Sequence, residues 1–511
     1  MDDLDFAEEK ASRPPLIEAF GITGLHGYRT ISVEAGHAAT ILIAKNGSGK
    51  TTLLGVLNAF LLGQFVRLRG LEFETVFCKL RGMPDQLVLS RSDLEEALIP
   101  PETGELYSLS ARIGVQPAQL FKFVMEDWAS LRLNRDEAYE SPTYTALARE
   151  FGYGGPRVDK VIDDLYLSIY SQNNNVAHII RSTRNVLGSC DVLYLPTYRR
   201  VELALRGAAN DARHRRKKPR FDISPNGLFT GDIQFGLSDI SDRLREINEK
   251  IVYDSNNQYR KISADIINGL IDGTYENAEL FAPSIPKEED LELLFSRVEQ
   301  GRRVGPHFPV TVPNLKKIYS KDGVPKSSEK FLNYFLGQLD KVINSTREVE
   351  SRVQEFVDKC NYYLSLDEIS TRLGFENSDK PIDAKKLVLN KRTLQVQVVS
   401  VPGDRRISLD ALSSGEKQMI SLFAKLYLYE ARKIVLVDEP ELSLSIEWQR
   451  RILVDVLSSP LCEQLVAITH SPFVFDNELD AYAGSLRVSS TPKTTQDISD
   501  DVLFEEDNFD E

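Results

Sequence analysis

The chain has 511 residues, 42% hydrophobic and 27% charged, the balance of a globular protein with more chain than one core needs. A formal net charge of −14 argues against a surface that coats nucleic acid wholesale, while leaving room for a local basic groove. No apolar run approaches the roughly 18 residues of a membrane span, the acidic start Met1-Asp2-Asp3-Leu4-Asp5 has no signal-peptide pattern, and the scattered Cys78, Cys190, Cys360 and Cys462 make neither a metal spacing nor a disulfide framework, so a reducing cytoplasm is the expected setting.

Leu16–Leu25 and Tyr28–Val33 read as strands joined by glycine turns. Tyr28 or Arg29 either stacks on an adenine ring or is an ordinary strand residue, and both readings stand. Thr40-Ile41-Leu42-Ile43 is a short apolar run. Ala44-Lys45-Asn46-Gly47-Ser48-Gly49-Lys50-Thr51-Thr52 follows, and then a helical pattern through Leu53, Leu54, Val56, Leu57 and Phe60. Strand, glycine loop and helix in that order are the context of a phosphate-binding loop. Gly47 and Gly49 let backbone N–H groups close around phosphate oxygens, with Asn46, Ser48 and Thr52 completing the loop. Lys50 supplies a point charge to the β- and γ-phosphates, and Thr51 presents a hydroxyl to Mg²⁺. Ala44 stands where the pattern asks for glycine.

From about Leu61 to Ser189 the pattern is mixed, a first lobe with added helices. Asp191-Val192-Leu193-Tyr194-Leu195-Pro196 is another apolar run, with Thr197-Tyr198-Arg199-Arg200 beyond it. Such an arginine pair meets either a phosphate, a partner carboxylate or local acids. Arg213-His214-Arg215-Arg216-Lys217-Lys218-Pro219-Arg220 is a basic run without aromatics, a solvated loop or a contact for nucleic acid or an acidic partner.

The middle of the chain turns helical. Leu237, Ile240, Leu244, Ile247 and Ile251 step three and four apart, and the stepping resumes at Tyr259, Ile262, Ile266 and Leu270. A second, longer series runs Leu332, Phe335, Leu339, Val342, Thr346, Val349, Val353, Phe356, Cys360, Tyr363, a coiled-coil-like seam. Thirty-odd helical residues span roughly 50 Å. No Cys-x-x-Cys pair interrupts this arm, so no metal hook is expected at its tip.

Leu387–Leu389 and Leu394–Val398 read as strands that restart the first lobe's fold. Leu412-Ser413-Ser414-Gly415-Glu416-Lys417-Gln418 then precedes an amphipathic helix, and Ser414 and Gly415 at its N-terminus form an anion site. Lys433–Val437 is a continuous apolar run typical of a strand buried on both faces. Asp438 at its tip is placed to hold Mg²⁺, and Glu439 to polarise a water. Gln464–Ile468 is a further buried strand, ending in Thr469-His470-Ser471-Pro472. His470 at such a tip can hydrogen-bond a γ-phosphate. Beyond about Tyr482 the pattern fades into an acidic end with Phe504 and Phe509, read as a solvated tail or a docking segment.

The order of glycine loop, "LSSGEKQ", "VLVDEP" and "ITHSP" resembles the ABC-type ATPase heads of the SMC and DNA double-strand-break-repair class. The resemblance implies an α/β fold, an ABC-type P-loop ATPase head with a mixed sheet interrupted by a helical coiled-coil-like insertion. It assigns nucleotide and catalytic roles to Lys50, Thr51, Asp438, Glu439 and His470, and the signature role to Ser414 and Gly415. It also implies ATP and Mg²⁺ as ligands and a head-to-tail homodimer or higher homo-oligomer, with each signature capping the ATP of the other subunit. The family's glutamine loop falls on either Gln86 or Gln172.

The expected segments are an N-terminal lobe at 1–205, an insertion arm at 206–385, a C-terminal lobe at 386–485 and an acidic tail at 486–511. No second catalytic centre is visible. About thirty residues follow the head, too few for a nuclease domain, and the six histidines do not cluster. The "LPTYRR" stretch is similar to one in stand-alone ATPases of bacterial anti-phage systems of the Septu, retron-Septu and PARIS type. That similarity implies a sensor or scaffold for a separate effector, a nuclease, and the lack of a membrane-length apolar run leads to the expectation of no membrane partner. The alternative is an SMC-like ATPase acting directly on DNA in repair or recombination.

Overall fold

The computed structural model describes residues 3–45, 47–100, 103–131, 135–152, 155–196, 237–273, 285–300, 314–319, 325–365, 385–401, 405–408, 411–442 and 444–490. Among them are the strands β1 (Ile17–Leu25), β2 (Arg29–Glu34), β3 (Ala39–Ile43), β4 (Thr75–Leu80), β5 (Leu87–Ser90), β6 (Cys190–Leu195), β7 (Lys385–Asn390), β8 (Gln395–Ser400), β9 (Arg406–Ile407), β10 (Arg432–Asp438), β11 (Cys462–Thr469), β12 (Ala483–Ser485) and β13 (Arg487–Ser490). The chain divides into two compact units, Met1–Gln234 with Ala431–Glu511, and Phe235–Glu430.

The first unit holds two five-stranded sheets. One is parallel, in the order β12-β3-β11-β10-β6, and the other antiparallel, in the order β13-β2-β1-β4-β5. The expected mixture of parallel and antiparallel pairing is thus divided between two sheets. In the parallel sheet β11 lies between β3 and β10, so the strand leading to His470 is flanked by those leading to the glycine loop and to Asp438-Glu439. The glycine loop follows β3, so it opens at the same end of the parallel sheet as the tips of β10 and β11.

Burial explains the composition of these strands. Ile434, Val435, Leu436, Leu465, Ala467 and Ile468 are fully enclosed, as continuous apolar runs require. The glycine-loop helix Lys50–Leu61 is apolar nearly all round and buried from Leu53 to Leu61, the signature of an interior helix. Phe60 meets Phe20 and Phe65 edge to face, and Phe65 meets Tyr170 in the helical region from Arg91 to Leu187.

The fully buried Gln464 of β11 joins the sheets. Its Oε1 accepts from Leu16 N and Ile17 N at 2.9 and 2.8 Å, and its Nε2 donates to Ile17 O at 3.0 Å. Lys10, on the N-terminal helix Asp3–Ala11, donates to Ser459 O at 2.5 Å and Pro460 O at 3.3 Å, just past the end of helix Ile446–Ser458. Burial pushes its ammonium below the ordinary lysine range.

The second unit contains the two long helices, Leu237–Ile271 and Lys326–Leu364, close to the ranges the apolar stepping marks out. The 39 residues of the longer one span roughly 58 Å. Ile262 and Ile266 pack in one cluster with Leu336, Leu339 and Val342, while Lys250 and Arg352 both reach Glu430, so the two helices run antiparallel.

β7, β8 and β9 form a separate three-stranded antiparallel sheet. They do not rejoin the sheets of the first unit. Asn361, near the end of the second long helix, donates to Leu387 O at 2.9 Å and accepts from Leu387 N at 2.6 Å, which ties β7 to that helix. Tyr363 packs on Phe423 of the helix Ser414–Tyr427. Residues 385–430 therefore belong with the inserted helices, and the unit boundaries at 234/235 and 430/431 differ from cuts at 205/206 and 385/386. The pattern that fades after Tyr482 continues as β12 and β13, the latter pairing with β2. The Arg199–Arg200 pair, the basic run at 213–220 and the acidic end lie outside the described residues.

Candidate functional site

The glycine loop sits between the buried strand β3 and the buried helix Lys50–Leu61, and both ends are pinned. Ala44 N donates to Thr469 O at 3.2 Å and Leu53 N to Gly49 O at 2.9 Å. Gly47 and Gly49 have φ of +77° and +89°, the left-handed region that favours glycine. At Gly49 a Cβ would also lie 2.4 Å from Ile31 Cδ1.

The helix start is open to an anion. Its N-cap, Gly49, provides no side-chain cap, and its first turn has no acidic residue. Among the described residues Ser48 Oγ is buried with no hydrogen-bond partner. These features fit a bound polyphosphate. Asn46 lies outside the described residues, while Thr51 and Thr52 occupy the first turn, half-buried.

Arg29 braces the loop, donating to Gly47 O at 2.9 Å and to Tyr28 Oη at 3.1 Å with its guanidinium over the Tyr28 ring. Sequence reasoning weighed Arg29 for adenine stacking or as an ordinary strand residue. The bond to the loop carbonyl depends on the β1–β2 turn meeting the loop, which no local pattern encodes.

Three strand ends bring the other groups in. Asp438 closes β10 and is 2% exposed. Glu439 follows with φ +52°, unusual for a non-glycine residue and more so before Pro440, and its N–H donates to Ile468 O at 2.8 Å. Its Oε1 lies 2.7 Å from Lys50 Nζ and 3.8 Å from His470 Nδ1. Lys50, Glu439 and His470, 420 positions apart from first to last by their numbers (470 − 50), therefore gather around one carboxylate oxygen, Lys50 at hydrogen-bond distance and His470 beyond it.

Sequence reasoning passed over Glu441. This buried carboxylate accepts from His470 Nδ1 at 2.8 Å and His470 N at 3.0 Å through Oε1, and from Thr469 Oγ1 at 2.8 Å through Oε2. The only signal in the sequence is a second acid two residues past Glu439. Gln449 completes the junction: it accepts from Ser471 Oγ at 2.9 Å and donates to Leu444 O at 3.0 Å.

Ser414 and Gly415 lie in the second unit, at the start of helix Ser414–Tyr427. The N-cap is Ser413, which forms a capping box with Glu416: Ser413 N donates to Glu416 Oε2 at 2.6 Å and Glu416 N to Ser413 Oγ at 3.3 Å. Lys385 bonds both Glu416 oxygens at 3.0 Å and so offsets the acid's charge at the helix N-terminus. Of the two glutamine-loop candidates, Gln86 is exposed in the β4–β5 hairpin and Gln172 is exposed just after helix Gly155–Tyr170. No helix among the described residues is long and apolar enough to cross a membrane.

The fold and the site define an α/β protein with a glycine loop of the phosphate-binding pattern between a buried parallel strand and a buried helix. The family described as "AAA domain, putative AbiEii toxin, Type IV TA system" matches residues 280–476, which take in the second unit from position 280 on, the serine turn and the carboxylate and histidine strand ends. Among solved structures, the chain is similar to the Smc head domain with a coiled coil and joint from Pyrococcus yayanosii, with 14% identity, a TM-score of 0.28, and coverage of 93% of this chain and 96% of that one. No curated protein matches the chain.

Proposed function

We propose that the chain is an ATPase whose output is a conformational change. The observation that carries this reading is the meeting of Lys50, Glu439 and His470 beside a glycine loop whose helix start is uncapped. A triphosphate seated on the loop draws Lys50 from Glu439 to its β- and γ-phosphates. Glu439, released, accepts a proton from a water aligned on the γ-phosphorus. The water oxygen bonds to phosphorus, the bond to the β–γ bridging oxygen breaks, and ADP and phosphate form. His470 faces the γ-phosphate from the neighbouring strand end. Thr51 and Asp438 would hold Mg²⁺, which neutralises charge on the β- and γ-oxygens.

Ser414 and Gly415 of a second copy cap the γ-phosphate in a head-to-tail homodimer, or a larger homo-oligomer built from it. Loss of the γ-phosphate removes that joint. The inserted antiparallel helices turn the closure into a larger displacement.

The output controls a separate effector, a nuclease, in anti-phage defence. The matched family's description, which names a toxin of a toxin–antitoxin system, and the "LPTYRR" stretch support this setting. The test is co-purification with the product of a neighbouring nuclease gene, with ATP and without it. Stoichiometric, nucleotide-dependent capture supports the reading. Salt-dependent binding of duplex DNA by the chain alone, with no captured effector, favours action on DNA instead.

A further inference from the structure

We infer that Glu441 is a positioning residue that sets the proton arrangement of His470 and keeps that ring away from Glu439. The inference rests on the ATPase reading for its consequence, though not for its geometry.

Two carboxylates compete for one imidazole. Glu439 Oε1 is 3.8 Å from His470 Nδ1 and Glu441 Oε1 is 2.8 Å from it. Glu441 is 6% exposed, whereas the His470 side chain is 44% exposed, so the ring is open to the site while its anchor is not. The anchor is itself fixed. Its Oε1 also takes the His470 backbone N–H at 3.0 Å, and its Oε2 takes the Thr469 hydroxyl at 2.8 Å. Gln449 Nε2 donates to Glu441 O at 3.3 Å, and its Oε1 accepts from Ser471 Oγ. The turns after β10 and β11 are thereby locked to each other.

A carboxylate oxygen can only accept, so Nδ1 carries a proton and Nε2 is the ring atom presented outward. Without Glu441 the ring loses its fixed acceptor at Nδ1 and is free to turn, so a proton on either nitrogen can reach Glu439, the base that must orient water. Glu441 therefore separates two duties: the histidine is held by one acid while the other stays free to work.

The test uses the full chain labelled with ¹⁵N-histidine, the His470 ring signals being assigned by their loss in His470→Gln. Glu441→Ala and Glu441→Gln are compared with the unaltered chain. The expected ring pattern is a protonated Nδ1 in the unaltered chain and a shift of the proton toward Nε2 in Glu441→Ala. An unprotonated Nδ1 in the unaltered chain, or an identical pattern in Glu441→Ala, overturns the inference whether or not the protein turns over ATP.

In ATPase assays Glu441→Ala lowers kcat by about tenfold to a hundredfold, the usual cost of losing such an outer partner, with KM for ATP unchanged. Glu441→Gln keeps an acceptor for the Nδ1 and backbone N–H groups, and Thr469 can turn its hydroxyl to Ser471 O at 3.4 Å, so it recovers most of that loss. In a His470→Ala background Glu441→Ala adds nothing further. An equal loss in that background shows a general structural role and sinks the inference. Absence of ATP turnover in the unaltered chain defeats the ATPase reading, and the ring measurement then decides on Glu441 alone.

Discussion

Lys50 Nζ and Glu439 Oε1 are 2.7 Å apart, a bond between the first residue of the glycine-loop helix and the first residue past β10. Their side chains are 5% and 17% exposed, so solvent screens the pair weakly. A base held in such a pair is not free to take a proton from water. In the proposed cycle the nucleotide that recruits Lys50 also releases Glu439, which couples turnover to occupancy. Glu439→Gln should keep ATP binding, lower hydrolysis by about 10²–10⁴-fold, the usual worth of a general base, and accumulate the ATP-bound dimer. Light scattering checks the last point: no increase in mass on adding ATP to the variant removes the sandwich.

Lys50→Ala tests the other half of the pair. The loss of a charge-assisted hydrogen bond to phosphate should weaken triphosphate binding by about tenfold or more, ~1.4 kcal/mol or above. ADP, with no γ-phosphate, should lose less. Titration calorimetry with both nucleotides measures the difference, and equal losses would place Lys50 away from the γ-phosphate.

The loop glycines should respond unequally. Gly47→Ala meets open space and bears only the cost of φ +77°, about 1 kcal/mol. Gly49→Ala adds an approach of 2.4 Å to Ile31 Cδ1, inside a fully buried cluster, and should be the more damaging by about 1–3 kcal/mol. Ile31→Val removes the colliding methyl group, so Gly49→Ala with Ile31→Val should regain part of the loss in urea unfolding. No recovery would assign the whole cost to the backbone.

The parts of the fold legible in the sequence were those where one local pattern suffices. Thr40–Ile43, Lys433–Val437 and Gln464–Ile468 are largely apolar runs, and each lies in a parallel strand, buried except at Ile43. The apolar stepping at Leu237–Leu270 and Leu332–Tyr363 likewise marks two real helices. What local pattern does not carry is membership. The alternation in Gln395–Ser400 says strand but not which sheet, and the Asn361 side chain decides that from outside the strand. β13 is exposed along its whole length and has no apolar rhythm to read. At the site, the residue types and strand ends could be read, while the left-handed Glu439, the Arg29 brace and the hold of Glu441 on His470 arise only when distant turns meet.

Glu430, the last residue of the second unit, gives a pH signature. A hydrogen bond from Lys250 at 3.1 Å, helped by the charges of Lys250, Arg352 and Arg243 and opposed by partial burial, holds its carboxyl below the ordinary range. The folded state therefore favours the ionised form. Its stabilisation is present above the unfolded carboxylate value, about 4.3 for glutamate, and is lost as pH falls through the lower folded value. Glu430→Gln should lower the urea midpoint at pH 7, and the gap to the unaltered chain should close as the pH drops below about 4. A gap that persists in acid would mean that packing, and not charge, accounts for the loss.

Gln464 offers the sharpest test of how the two sheets are joined. Its amide satisfies Leu16 N, Ile17 N and Ile17 O, three backbone groups with β11 on one side and β1 on the other. Gln464→Leu keeps the volume and adds apolar surface, which a purely hydrophobic account would score as neutral or better. It also strands three buried polar groups at about 1–3 kcal/mol each before relaxation. The variant should therefore unfold at lower denaturant by an amount worth about 2–5 kcal/mol, with Gln464→Glu intermediate because it keeps an acceptor for the two N–H groups. Since β11 also leads to Thr469 and His470, the loosened strand end should carry the defect into ATP turnover, and a Leu variant with full stability would show that water or a shifted backbone satisfies β1 without this side chain.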